Sequence, residues 1–188
     1  MRSLRSSFVA AVAAAVVIGV PAAAQMPAPT AAPATPMVGD MAPDFTAMAT
    51  DSTGRMIPVS LAGMRGKVVV LAFYPLDRSQ GCTVELNKFR DEYGTLFGNN
   101  VVVLPVSIDT LASHASWAHD SHFPFAMIAD PKSELATKFG AQGAKYFHRA
   151  TYVIDKNGRI AYAEPKFPAL SQETYDKLAA AVKQAKGD

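Results

Sequence analysis

Lys67-Val68-Val69-Val70-Leu71-Ala72-Phe73-Tyr74-Pro75-Leu76-Asp77-Arg78-Ser79-Gln80-Gly81-Cys82-Thr83 joins two different patterns. From Val68 to Tyr74 the run is unbroken and apolar, as expected of a strand buried on both faces. From Cys82 onward the larger apolar residues Leu86, Phe89, Tyr93, Leu96 and Phe97 recur at spacings of three and four, which predicts a helix packed on a sheet through one face. The junction holds Cys82, the single cysteine of the 188-residue chain. A helix N-terminus offers unpaired N–H groups and the positive end of the macrodipole, and both favour the anionic, nucleophilic form of a cysteine in the first turn. A reactive thiol is the reading this address supports. An inert buried cysteine acting as a small hydrophobe is the alternative.

The same alternation of strand and helix patterns continues on both sides. Asp44 to Ala49 and Ile57 to Leu61 suit a short hairpin before the central strand. Asn100 to Ser107 reads as a second buried strand, with Asp109 or Thr110 capping a helix through Trp117 toward His122. Phe125 to Ala129 is a short strand and Pro131 to Phe139 a short helix closed by Gly140. Asn157-Gly158, between Thr151–Ile154 and Ile160–Tyr162, is a strong hairpin signal. Ser171 is placed to cap a last helix with Tyr175, Leu178, Val182 and Ala185 on its core face. Parallel βαβ followed by a hairpin and a helix gives an α/β, thioredoxin-like fold: a central mixed β-sheet flanked by helices, with an N-terminal hairpin extension.

Residues 1–24 carry Arg2 and Arg5, an apolar run from Phe8 to Val20 and Ala22-Ala23-Ala24, the pattern of a signal peptide cleaved after Ala24. The run is shorter than the roughly 20 residues of a membrane span. An exported, periplasmic or secreted protein without membrane attachment after cleavage is expected. Residues 25–37 are almost wholly Pro, Ala and Thr and read as a disordered linker, so that 38–188 form the domain. The chain has 18 Lys and Arg against 16 Asp and Glu, and losing Arg2 and Arg5 leaves 16 of each sign. A balanced charge gives no basis for binding nucleic acid or an anionic membrane. Exported proteins that use cysteine structurally carry it in pairs, and a lone thiol has no internal partner.

Tyr74-Pro75, Ser79, Cys82-Thr83 and Glu85 together resemble the active-site segment of a peroxiredoxin of the alkyl hydroperoxide reductase/thiol-specific antioxidant family. Val38-Gly39-Asp40-Met41-Ala42-Pro43-Asp44-Phe45 is similar to the family's opening, and His148-Arg149-Ala150-Thr151-Tyr152-Val153-Ile154-Asp155 to the segment with its arginine. The likeness covers nearly the whole domain and is closest to the Q-type, bacterioferritin comigratory branch. It implies a thiol peroxidase with Cys82 as nucleophile and no cofactor. Arg149 is then expected to favour the thiolate and to share charge with the peroxide through fixed N–H donors. The Ser79 hydroxyl is expected to bond thiolate and peroxide, with the Cys82 N–H helping, while Pro75 walls the pocket from water.

This chain departs from the family at two positions. Ser79 stands where threonine is commoner, keeping the hydroxyl but losing the methyl that fixes its rotamer. Asn87 stands where Q-type enzymes often place a resolving cysteine, so no internal disulfide can form. A one-cysteine cycle follows, with the Cys82 sulfenic acid reduced by an external thiol. Candidates for that partner are a thioredoxin-like protein, glutathione or another small thiol, and the resemblance suits a monomer or weak homodimer.

Other residues carry plainer readings. His114, His119 and His122, with Asp120, have spacings that suit surface or partly buried helix histidines better than a metal site. His148 is set aside because strand alternation points it away from Arg149. Glu85 either orients the arginine or is a solvated acid in the first turn. Thiol–disulfide exchange is the rival enzyme class, but Ser79-Gln80-Gly81-Cys82 lacks the first cysteine of a Cys-x-x-Cys, and Arg149 occupies the region of the usual cis-proline. A copper carrier of this fold would want a second cysteine. A redox-sensing domain in which Cys82 is oxidised once, without turnover, is the non-enzymatic alternative.

Overall fold

The computed structural model describes residues 35–187. The expected signal peptide, and the linker up to residue 34, lie outside the described residues. The chain builds β1 (Thr46–Thr50), β2 (Met56–Ser60), β3 (Val68–Phe73), α1 (Gln80–Asp91), α2 (Tyr93–Leu96), β4 (Val101–Ser107), α3 (Leu111–Ser121), β5 (Met127–Ala129), α4 (Glu134–Lys138), β6 (Ala150–Ile154), β7 (Ile160–Glu164) and α5 (Gln172–Lys186). The strands form one mixed sheet in the order β2-β1-β5-β4-β3-β6-β7. β3, β4 and β5 run parallel, while β1 against β5, β3 against β6 and the two hairpins run antiparallel.

Every residue of β3 is buried, because strands flank it on both sides and apolar layers cover both faces. Its side chains alternate between two cores, the period-two consequence of the pleat. Val68, Val70 and Ala72 join Leu86 and Phe89 of α1, Trp117 of α3 and Tyr175, Leu178 and Val182 of α5. Val69, Leu71 and Phe73 join Leu135, Ala136 and Phe139 in and beside α4, with Tyr152 and Ile154 of β6. Burying the apolar face of α1 stabilises it by about 2 kcal/mol for each large side chain, which sets the orientation of its first turn.

Several sequence expectations are refined. α1 begins at Gln80, two residues before Cys82, and the apolar stripe does not stay on one helix. The helix breaks at Glu92 (φ −107°, ψ 21°) before the short α2, yet Phe89 and Tyr93 still meet Phe97 with ring centroids 5.2 Å apart. Thr110 is the cap of α3, its hydroxyl accepting from the Ser113 N–H at 3.2 Å. Ser171 occupies the N-cap position of α5 but its side chain makes no capping bond, so that cap is corrected. α4 is shorter than expected, starting after Ser133 in the left-handed region. The Asn157-Gly158 turn joins β6 to β7 with Gly158 at φ +82°, where a Cβ would be strained.

Candidate active site

Ser79 is the N-cap of α1, with extended backbone (φ −67°, ψ 149°), and Cys82 is the third helical residue. The first helical hydrogen bond runs from the Thr83 N–H to the Ser79 carbonyl at 2.8 Å. The N–H groups of Gln80, Gly81 and Cys82 therefore have no acceptor within the helix and project from its positive end. The Ser79 hydroxyl supplies none: it makes no capping bond, and among the described residues it makes no bond to the Cys82 sulfur either. Cys82 is fully buried at this end of the helix. Pro75 is half-buried, two residues past the end of β3, in the loop that leads to Ser79.

Arg149 reaches this spot from 67 residues away in sequence. The reason is register: Phe73 pairs with Ala150 across the antiparallel β3–β6 ladder, which sets Arg149 level with Tyr74, where the chain leaves β3 for the loop. The Arg149 carbonyl also accepts from the Phe167 N–H at 2.9 Å, which fixes the backbone from the other side. The guanidinium then faces Cys82, Nη2 donating to Sγ at 3.4 Å. Its Nη1 donates to Glu85 Oε2, so one arginine joins the cysteine to the acid one turn further along α1.

Glu85 is fully buried, which removes the reading of a solvated first-turn acid. Its spacing of three from Cys82 puts both on one face of α1, and that face meets Arg149. Burial raises the Glu85 carboxyl to about 7, the attraction of Arg149 offsetting only part of the desolvation. At Arg149 burial works against the cation, but Glu85 and Cys82 outweigh it and hold the guanidinium above its usual value. Each effect follows from surroundings too dry to screen the pair. Glu85 Oε1 is buried without a hydrogen-bond partner among the described residues.

Gly81 lies against the Arg149 guanidinium, a contact its sequence position alone does not reveal. A Cβ built there would lie 3.1 Å from Arg149 Nη2, so any side chain at this position would require the guanidinium to shift by a few tenths of an ångström. His148 is exposed and precedes β6, its N–H bonded to the Ala141 carbonyl at 2.7 Å. The three histidines in and just after α3 part company. His119 and His122 are exposed, whereas His114 is fully buried rather than at the surface. Among the described residues no group of three or more His, Cys, Asp or Glu is arranged to hold a metal ion.

A buried thiol, an arginine aimed at it, and helix N–H groups free of acceptors within the helix form a site suited to attack on a small electrophile whose leaving group departs as an anion. Comparison with known proteins points the same way. The family model described as AhpC/TSA matches residues 38–163. The chain belongs to the AhpC/TSA family. Among curated relatives of this AhpC/TSA chain, a protein named peroxiredoxin bcp from Coxiella burnetii is 37% identical over 137 residues, covering 69% of this chain and 88% of the relative. Peroxiredoxin Q of Arabidopsis thaliana is 38% identical over 125 residues, 65% of this chain but 56% of that longer protein. The crystal structure of peroxidoxin BcpB from Mycobacterium tuberculosis superposes with a TM-score of 0.68 at 26% identity, over 79% of this chain and 97% of that one. Enterococcus faecalis AhpC gives 0.69 at 27%, over 82% and 98%. The AhpC/TSA assignment thus joins the bcp and Q relatives to the mixed sheet described above.

Proposed function

We propose that the chain is a thiol-dependent peroxidase that reduces hydrogen peroxide or organic hydroperoxides through Cys82 and an external thiol. The observation that carries this reading is the contact of Arg149 Nη2 with Cys82 Sγ at the open end of α1. The Cys82 thiolate attacks one peroxide oxygen, an S–O bond forms as the O–O bond breaks, and the departing oxygen takes up a proton as water or alcohol. Charge grows on that oxygen in the transition state, where the Arg149 donors and the N–H of Cys82 are fixed before reaction begins. Ser79 adds a hydroxyl left free by the helix cap, and Pro75 offers no N–H to compete for the peroxide.

Asn87 in place of a second cysteine leaves resolution to another molecule. A thiol RSH attacks the sulfenic sulfur, releasing water and forming a mixed disulfide. A second thiol then releases RSSR and restores Cys82. The sulfur is buried in the conformation described, so the resolving thiol meets it only when the surrounding residues move. A thioredoxin-like protein, glutathione or another small thiol fills this role, and the protein works as a monomer or weak homodimer. Residues 1–24 direct it to the periplasm or outside the cell, residues 25–37 tether the domain, and no membrane attachment follows cleavage.

The test is repeated turnover. With a small thiol in excess, hydrogen peroxide should be consumed many times per protein molecule, and Cys82→Ser should consume none. Consumption of a single equivalent followed by arrest would fit a redox sensor and reject the peroxidase.

A further inference from the structure

Three residues before the cysteine's helix begins, at Asp77, the pocket loop is anchored by a buried network that the chemistry above does not use. The Asp77 carboxylate accepts from the Tyr74 hydroxyl at 2.6 Å and from the Ser113 hydroxyl at 2.6 Å. His114 Nδ1 lies 3.1 and 3.0 Å from its two oxygens, and His114 Nε2 lies 3.1 Å from the Ile128 carbonyl of β5. Both ring nitrogens face oxygen atoms, so the ring is held at each end. The Asp77 N–H donates to Asp109 Oδ2 at 2.8 Å, and Asp109 is held in turn by the Ser107 hydroxyl at 2.7 Å. Next in the chain, Arg78 has a left-handed backbone (φ 58°), and its guanidinium donates to Ser116 and Asp120 of α3.

We propose that His114 is a positioning residue for the Cys82 pocket, fixing through Asp77 the loop that presents Pro75, Ser79 and the first N–H groups of α1. A buried polar network adds little net stability, since desolvation cancels most of the attraction, but it demands one geometry. Here the demand falls on the residue next to a strained Arg78, whose left-handed backbone needs its neighbours to hold it. If Asp77 is released, Arg78 relaxes, Ser79 turns, and the donors at the helix end leave the line of the incoming peroxide. Burial opposes the charge of Asp77, yet the bond and charge of His114, with Ser113 and Tyr74, hold its carboxyl below the usual range. Burial, with the Asp77 charge, raises the Tyr74 hydroxyl well above the usual phenol value and keeps it a donor.

The inference rests on the thiol-peroxidase reading, and one experiment separates the two. Wild type, His114→Asn and His114→Gln are each mixed with hydrogen peroxide, and separately with iodoacetamide, and loss of the Cys82 thiol is timed. Asparagine keeps a donor where Nδ1 met Asp77, and glutamine keeps one where Nε2 met the Ile128 carbonyl. His114→Asn should stay within about threefold of wild type with peroxide, and His114→Gln should fall about tenfold to a hundredfold. Alkylation should change less than about twofold in either, because iodoacetamide needs the thiolate but not the peroxide donors. Equal peroxide rates in the two variants, or losses mirrored in alkylation, would overturn the positioning role. A wild type no faster with peroxide than free cysteine would instead sink the peroxidase reading. Should the ring variants fail to fold, Ser113→Ala leaves the imidazole in place. A peroxide rate lowered about threefold with alkylation unchanged is then expected, and an unchanged peroxide rate would overturn the role.

Discussion

Glu85 holds, through Arg149 Nη1, the same guanidinium whose Nη2 donates to the Cys82 sulfur. Acid, arginine and thiol are thereby one unit, set by the three-residue spacing on α1 and by the β3–β6 register. The arginine's second nitrogen is held by the Glu85 carboxyl group before any peroxide arrives, so its direction does not have to be found during the reaction.

Arg149 is the group whose removal should cost the most after Cys82 itself. Arg149→Ala is expected to lower the rate of Cys82 oxidation by peroxide about a hundredfold to a thousandfold, the range for losing a preorganised donor to a developing anion. Arg149→Lys should recover little of it, since one ammonium cannot serve Glu85 and Cys82 in the fixed fork geometry. Stopped-flow oxidation under single-turnover conditions reads this directly, and a lysine variant at wild-type speed would contradict it.

The pH dependence of stability should carry the mark of Glu85. Its carboxyl is raised in the folded protein to about 7 by burial, so the folded state binds the proton more tightly than the unfolded chain. Stability is therefore lost as pH rises from the ordinary glutamate value through about 7, and the loss is complete above it. Glu85→Gln lacks this titration. Urea denaturation of both proteins at pH 5 and pH 8 should show the variant gaining on wild type at the higher pH. A constant difference between the proteins at the two pH values would contradict the assignment. Above about pH 7, where Glu85 is the carboxylate, the variant's peroxide rate should also fall, because Arg149 then loses its anionic partner.

Gly81→Ala separates activity from stability. Alanine in a helix is favoured over glycine by about 1 kcal/mol, less in the first turn. The new Cβ, however, would stand 3.1 Å from Arg149 Nη2 and push it from the sulfur. The variant should melt no lower than wild type while reacting with peroxide about tenfold more slowly. A slower reaction with a matching fall in melting temperature would point to general damage instead.

The fold was legible because period and length agree at each step. The Val68–Tyr74 run, the stripe from Leu86 to Phe89 and the Asn157-Gly158 turn each allow one element and one neighbour. The break at Glu92 was not, since apolar spacing continues across it and only backbone geometry interrupts the helix. At the site, Cys82 could be singled out from its place between strand and helix, while Arg149 came from a resemblance, because no local pattern says which residue a ladder brings across. Glu85 stood open between two readings until its burial decided for the arginine. Gly81 acts through an atom it lacks, and His114 through a loop 37 residues earlier. Its spacing from Trp117 put both on one buried face of α3, the one signal that set it apart from His119 and His122.

The central claim is that Cys82 is a peroxidatic thiol resolved from outside the chain. Reduced mature protein is mixed with one equivalent of hydrogen peroxide, trapped with a sulfenic-acid reagent and followed at Cys82 by mass spectrometry, with and without added thiol. The prediction is fast, stoichiometric sulfenic acid that thiol erases and fresh peroxide restores, with sulfinic acid accumulating only when peroxide is in excess and thiol absent. A Cys82 oxidised no faster than free cysteine, or one that thiol cannot return to the reduced state, would contradict the account.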